Sequence, residues 1–119
     1  MRIVERRIGD VTILHLIGRL ELENGDTVLR DTVNALVAAG RHKLVLDMKD
    51  VTRLDSAGIG MLVSKFLTAR RNGGSLKILN PTARTDHLME ITKLTTIFEI
   101  FDDEDAAVRS FGGSSVADV

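Results

Sequence analysis

An aspartate and a serine lie side by side at the predicted start of a helix, and two glycines follow closely. The segment consists of Asp55, Ser56, Ala57, Gly58, Ile59 and Gly60. A glycine inside a helix costs about 0.5–1 kcal/mol relative to alanine, so another requirement must favour these two. One explanation is structural: Asp55 or Ser56 caps the helix, and the glycines allow close approach to the sheet or a loop. The other is functional, with the serine hydroxyl exposed on a bare backbone surface and offered to a partner.

The start of a helix is also a favourable place for a phosphorylated serine. A phosphate on Ser56 would meet unpaired backbone N–H groups and the positive end of the helix dipole. We therefore expect the domain to tolerate phosphorylation of Ser56 without unfolding.

The elements that position this segment alternate between strands and helices. Residues 2–8 and 11–17 are β-rich runs separated by Gly9 and Asp10, which predicts a hairpin. Further strands are predicted at residues 43–48, 75–79 and 97–101, and helices from residue 24 or 26 to Gly40, at 56–72, at 82–93 and from 102 onward. This order predicts an α/β fold with a mixed, mostly parallel sheet of four to five strands, an N-terminal hairpin and four helices.

Several finer expectations follow from the hydrophobic pattern. Residues 49–53 are polar apart from Val51, which predicts a loop with one inward anchor. The helix at 56–72 should bury a stripe, and Ile91 should face inward on the next helix. The stripe consists of Ile59, Leu62, Val63, Phe66 and Leu67. One domain over residues 1–111 and a flexible C-terminal tail over 112–119 complete the prediction.

The segment from Val51 to Gly60 resembles the signature of STAS domains of the anti-sigma factor antagonist family. In that signature, Asp-Ser, a small residue and Gly-Leu/Ile-Gly open the second helix. Other stretches agree in order and spacing, so that the resemblance covers roughly residues 3–110. They are Gly18-Arg19-Leu20-Glu21, Leu44-Val45-Leu46-Asp47, Gly73-Gly74-Ser75-Leu76-Lys77 and the segment from Ile91 to Phe98.

This resemblance implies a protein switch and not an enzyme. In the family, the serine that corresponds to Ser56 is phosphorylated by an anti-sigma factor that is itself a serine kinase. The unphosphorylated form binds the anti-sigma factor and frees sigma, and a PP2C-type phosphatase restores that form. The resemblance places the partner-binding surface on residues 55–60 and on Glu21, which stands where the family usually has aspartate. Ala57 replaces a serine or threonine found in several relatives, which leaves Ser56 as the single acceptor of the pair.

Composition argues against several other classes of function. Sixteen Lys and Arg against seventeen Asp and Glu give a net charge of −1 without a basic stripe, so we expect no direct binding to nucleic acid. There is no cysteine, which excludes thiolate metal sites and is compatible with a reducing compartment. The charged residues within 1–8 do not fit a signal peptide, and no stretch is long enough to span a membrane. We expect a cytoplasmic protein without a cofactor.

The motifs of alternative functions are incomplete. A serine hydrolase would need glycine two residues before and two after the nucleophile, and Leu54 occupies the first position. Gly58-Ile59-Gly60 lacks the third glycine of a dinucleotide fingerprint, and the acidic run 102–105 lacks the spacing of a calcium loop. A stronger alternative is a STAS subunit of another signalling or transport assembly, stressosome-like or a lipid-transport partner, without control of sigma.

Overall fold

The computed structural model describes the backbone of residues 1–116 and the side chains of residues 1–112. Its centre is a five-stranded sheet in the order β1-β2-β3-β4-β5. The strands are β1 (Arg2–Ile8), β2 (Val11–Leu20), β3 (Lys43–Leu54), β4 (Ser75–Leu79) and β5 (Ile100–Phe101). The helices are α1 (Asp26–Ala38), α2 (Ser56–Arg71), α3 (Ala83–Ile91) and α4 (Glu104–Val116), with a short 3₁₀ helix at Leu94–Thr96. The predicted α/β class and element order are confirmed.

The first two strands form the predicted hairpin. β1 and β2 are antiparallel with Ile8 opposite Val11, and Gly9 has the positive φ of 60° that a tight turn requires. β2, β3, β4 and β5 are parallel to one another. Helices connect these parallel strands, and α2 begins at the carboxyl end of β3 because it follows that strand directly.

Hydrophobic cores lie on both faces of the sheet. The larger core joins α1, α2 and α3 to one face, with Leu14 and Leu46 among its fully buried side chains. The smaller core packs α4 on the other face through Ala107, against Ile13 and Val45. Since neighbouring residues of β2 and of β3 are buried on opposite faces, these strands are apolar on successive positions, as the sequence of β2 indicated.

The predicted loop at residues 49–53 is wrong, because β3 continues through it to Leu54. β2 is also longer than predicted, and Gly18 pairs with Val51 and Leu20 with Leu54. Two register shifts, after His15 and after Gly18, interrupt the pairing. Polar residues are compatible with a strand here because most of them face solvent, while Val51 is buried as expected.

The buried face of α2 differs from the predicted stripe. Its buried residues are Gly58, Leu62, Lys65 and Ala69, whereas Leu67 is 42% exposed. The Nζ atom of Lys65 donates to Asn34 Oδ1 on α1 at 2.7 Å. This hydrogen bond allows a lysine to be buried between the two helices. Because lysine is polar, the sequence pattern did not predict that this position is buried.

The segment between β4 and α4 also departs from prediction. α3 ends at Ile91, which is 63% exposed and does not face inward. Lys93 then takes a left-handed conformation with φ of 62°, and the 3₁₀ helix follows at Leu94–Thr96. Residues 97–99, which were predicted to begin the last strand, lie outside it. The chain regains strand pairing only at Ile100.

The C-terminal helix extends into the segment predicted as a tail. α4 ends at Val116, five residues beyond the predicted domain boundary at 111. Residues 117–119 lie outside the described part of the chain, so the flexible tail stays a prediction. Within residues 1–116, no helix is long and apolar enough to cross a membrane.

Candidate functional site

Asp55 caps α2, as the structural explanation of this segment predicted. Its backbone is extended, with φ of −114° and ψ of −175°, and its Oδ1 atom accepts the Gly58 N–H at 2.9 Å. The cap satisfies one of the N–H groups that a helix leaves unpaired at its start. Ser56 is therefore the first residue inside the helix.

The second carboxylate oxygen of Asp55 holds the loop that follows β2. Oδ2 accepts the backbone N–H of Leu22 at 3.1 Å. The N–H groups of Gly58 and Leu22 stabilise the ionised carboxylate, and they hold the pKa of Asp55 below its usual value. One side chain thus joins the start of α2 to residues 21–25.

Residues 21–25, here called the β2–α1 loop, form a compact turn beside the start of α2. Glu21 N–H donates to Asn24 O at 2.8 Å, and Asn24 N–H donates to Glu21 O at 2.9 Å. The Nε atom of Arg53 donates to Glu21 Oε2 at 3.2 Å. Leu22 is 64% exposed in this loop. An apolar side chain therefore projects into solvent next to the cap of α2.

Gly58 is required by packing. A Cβ atom at this position would lie 2.1 Å from the carbonyl oxygen of Leu20 and 2.8 Å from Leu54 Cδ1. Only a residue without a side chain allows α2 to approach the end of β2 this closely. Gly58 is buried, so close packing explains why a glycine is present despite its cost to helix stability.

Gly60 has different surroundings although it lies only two residues further along. It is exposed, and a Cβ atom there would meet nothing within 4 Å. Ser56 is exposed as well, and the hydroxyl forms no hydrogen bond to any described residue. Ser56, Gly60 and Ser64 follow one another at four-residue spacing, so they share one solvent-facing side of α2.

We define the Ser56 surface as Leu22, Ser56, Ala57, Ile59 and Gly60. Ala57 and Ile59 are half-buried, and the first turn of α2 carries no acidic side chain. Of the residues predicted to bind a partner, Asp55 and Gly58 lie beneath this surface and Glu21 lies at its side. The surface is small, mostly apolar and open around the Ser56 hydroxyl.

The histidines of the chain do not form a catalytic site with Ser56. The Nε2 atom of His15 lies 2.7 Å from Asp50 Oδ2 on the neighbouring strand. His42 lies against Gly74, and His87 is exposed on α3. Among residues 1–112, none of them is hydrogen-bonded to Ser56 or Asp55. The described site contains no base positioned to activate the serine for nucleophilic attack.

The family model of the STAS domain matches residues 2–107 of this chain. The chain belongs to the STAS domain family. The resemblance inferred from the Asp55-Ser56 segment is therefore confirmed.

Relatives of this STAS domain include proteins named as anti-sigma factor antagonists. The anti-sigma-B factor antagonist of Bacillus subtilis is 30% identical over 106 residues, which cover 89% of this chain and 94% of the relative. An anti-sigma factor antagonist from Mycobacterium paratuberculosis has the same fold, with a TM-score of 0.81, 19% identity and coverage of 92% of both chains. The unphosphorylated form of the anti-sigma factor antagonist SpoIIAA superimposes with a TM-score of 0.78 at 14% identity, covering 96% of this chain and 99% of SpoIIAA.

Two residues near Ser56 were not identified as site residues from the sequence. Leu22 is the single apolar residue in a polar stretch between a strand and a helix, and because lone apolar residues are common on protein surfaces, the sequence pattern carried no signal for a site there. Arg53 was assigned to a loop, so its pairing with Glu21 across the β2–β3 ladder could not be foreseen.

Proposed function

We propose that this chain is an anti-sigma factor antagonist whose binding to an anti-sigma factor serine kinase is switched by phosphorylation of Ser56. The observation that carries the proposal is the exposed hydroxyl of Ser56, without a hydrogen-bond partner among the described residues, at the start of α2. The name of the Bacillus subtilis relative supports the same role. The proposed place of action is the cytoplasm, and the proposed reverse reaction uses a PP2C-type phosphatase.

The Ser56 surface suits a partner that must reach a serine on a helix. Gly60 leaves the space one turn beyond Ser56 empty, so a kinase active site can approach the hydroxyl without meeting a side chain there. Leu22 supplies exposed apolar area beside the hydroxyl, and the burial of such area against a partner favours binding. The geometry thus supports both recognition and modification at one place.

Phosphorylation would change this surface more than it changes the fold. A phosphate adds about −1.5 to −2 charges at neutral pH. Within the domain, the positive end of the α2 dipole offsets part of this charge. Against a partner surface shaped for a hydroxyl, the same charge would be desolvated without a counterion, at a cost of several kcal/mol. We therefore propose that phosphorylation releases the partner while the domain stays folded.

Phosphate incorporation tests the assignment of the acceptor. The chain is incubated with ATP and each anti-sigma factor serine kinase encoded in the same genome, and intact mass is measured. Ser64→Ala provides the matched control, because Ser64 is an exposed serine two turns further along α2. We expect one phosphoryl group on the wild type and on Ser64→Ala, and none on Ser56→Ala. Undiminished incorporation into Ser56→Ala would refute the assignment.

The partner surface is tested separately from the acceptor. Leu22→Ser and Gly60→Leu should each weaken kinase binding by about tenfold or more, because the first removes exposed apolar area and the second fills an open approach. Neither change should lower the melting temperature, since both positions are exposed and a side chain at Gly60 adds helix propensity. A parallel loss of binding and thermal stability would instead indicate that these residues serve the fold alone.

A further inference from the structure

A groove of about 290 Å³ lies between the carboxyl end of β3 and α3. Three apolar side chains, Leu54, Leu88 and Ile91, are among the residues that line it. Leu54 and Leu88 are half-buried, whereas Ile91 is largely exposed. The exposure of Ile91, which the sequence predicted to face inward, therefore coincides with an open apolar space.

The same groove is lined by cationic or potentially cationic side chains and by no carboxylate. Arg53, Arg84 and His87 contribute to its wall. Arg53 already pairs with Glu21, but Arg84 and His87 have no hydrogen bond or ion pair to other residues in the described part of the chain. An exposed guanidinium without a partner beside an apolar groove can bind an anionic group through charge-assisted hydrogen bonds.

We propose that this groove binds a small amphipathic anion, with an apolar body beside Leu88 and Ile91 and a carboxylate, sulfonate or phosphate at Arg84. The volume of about 290 Å³ lies just below the range of about 300–1,000 Å³ for ligand pockets, which favours a short chain or a single ring system. This site is separate from the Ser56 hydroxyl and does not depend on the function proposed above.

Three probes with the same hydrocarbon chain separate the contribution of charge from that of apolar burial. Octanoate, octanol and octylamine are titrated into the full chain, and backbone amide shifts are followed by NMR. We expect saturable shifts from octanoate within residues 52–54 and 82–91, and affinity at least about tenfold lower for octanol and octylamine. Equal affinity for octanoate and octanol would overturn the assignment of an anion site.

Matched variants locate the binding site of the probe. Arg84→Gln should weaken octanoate binding about tenfold, whereas Arg109→Gln, an exposed arginine on α4, should leave it unchanged. Ile91→Ser should also weaken binding, with Ile97→Ser as its exposed control. Equal effects within either pair would place the probe elsewhere. Absence of saturable octanoate shifts would overturn the proposal, and shifts of the same amides on adding the partner kinase would then assign the groove to protein docking.

Discussion

Gly58 and Gly60 lie two residues apart in α2, but alanine should affect stability in opposite directions at the two positions. At Gly60 the new methyl group enters open space, so the helix gains about 0.5–1 kcal/mol of propensity. At Gly58 the methyl group would lie 2.1 Å from the carbonyl oxygen of Leu20, which belongs to a paired strand and cannot turn aside as a flexible side chain would. Overpacking of this kind costs about 1–3 kcal/mol.

The expected net effect of Gly58→Ala is a loss of about 2 kcal/mol, since the upper part of the overpacking range is partly offset by helix propensity. For a domain of 119 residues, each kcal/mol corresponds to about 4 °C in melting temperature. Urea unfolding followed by circular dichroism gives both free energies, provided that the m-values agree. Wild-type stability of Gly58→Ala, or a loss of stability in Gly60→Ala, would refute the packing explanation.

Three further predictions concern charged residues. The pKa of Asp55 is lowered in the folded chain by its hydrogen bonds to the Gly58 and Leu22 N–H groups. The contribution of Asp55 to stability is therefore present above the unfolded pKa of about 3.9 and is lost as pH falls through the folded pKa. Thermal melts at pH 3–7 should show this loss in wild type and not in Asp55→Asn. Burial lowers the pKa of Lys65, so between the folded and the unfolded pKa the unfolded chain binds more protons at this residue. Wild-type stability should therefore rise as pH increases through the folded value towards the unfolded pKa of about 10.4, and Lys65→Met should remove that rise in urea titrations. Lys77→Ala removes a hydrogen bond to Ser110 and a cation–π contact with Phe111. Hydrogen exchange should show faster opening of α4, with a loss of about 1–3 kcal/mol in the free energy of opening. Unchanged protection of the α4 amides would contradict this role of Lys77.

The sequence predicted the fold because its periodicities match the local structure. The apolar strands, the Gly9 turn and the alternation of strands with helices required only neighbouring residues to interpret. The Asp55 cap could be predicted for the same reason, since an aspartate just before a helix accepts N–H groups of the first turn. Each of these features depends on contacts within a few positions along the chain.

Features that depend on distant residues could not be predicted. Residues 49–53 are polar apart from Val51, and their pairing with the end of β2 keeps them in β3. Gly58 and Gly60 are the same residue type, and only the position of Leu20 O distinguishes a packing glycine from an exposed one. Lys65 has a polar head whose partner, Asn34, lies 31 residues away in the sequence. In each case the sequence contains both residues but does not show that they are neighbours in the folded chain.

Calorimetric titration of the partner kinase with Ser56 variants tests the central claim most directly. Wild type, Ser56→Ala, Ser56→Asp and the control Ser64→Asp are compared, with circular dichroism to confirm that each is folded. Because a carboxylate at Ser56 would be buried without a counterion in the interface, we predict binding at least about a hundredfold weaker for Ser56→Asp. Ser56→Ala and Ser64→Asp should bind like wild type. Equal affinity of wild type and folded Ser56→Asp would contradict the claim that Ser56 is the switch.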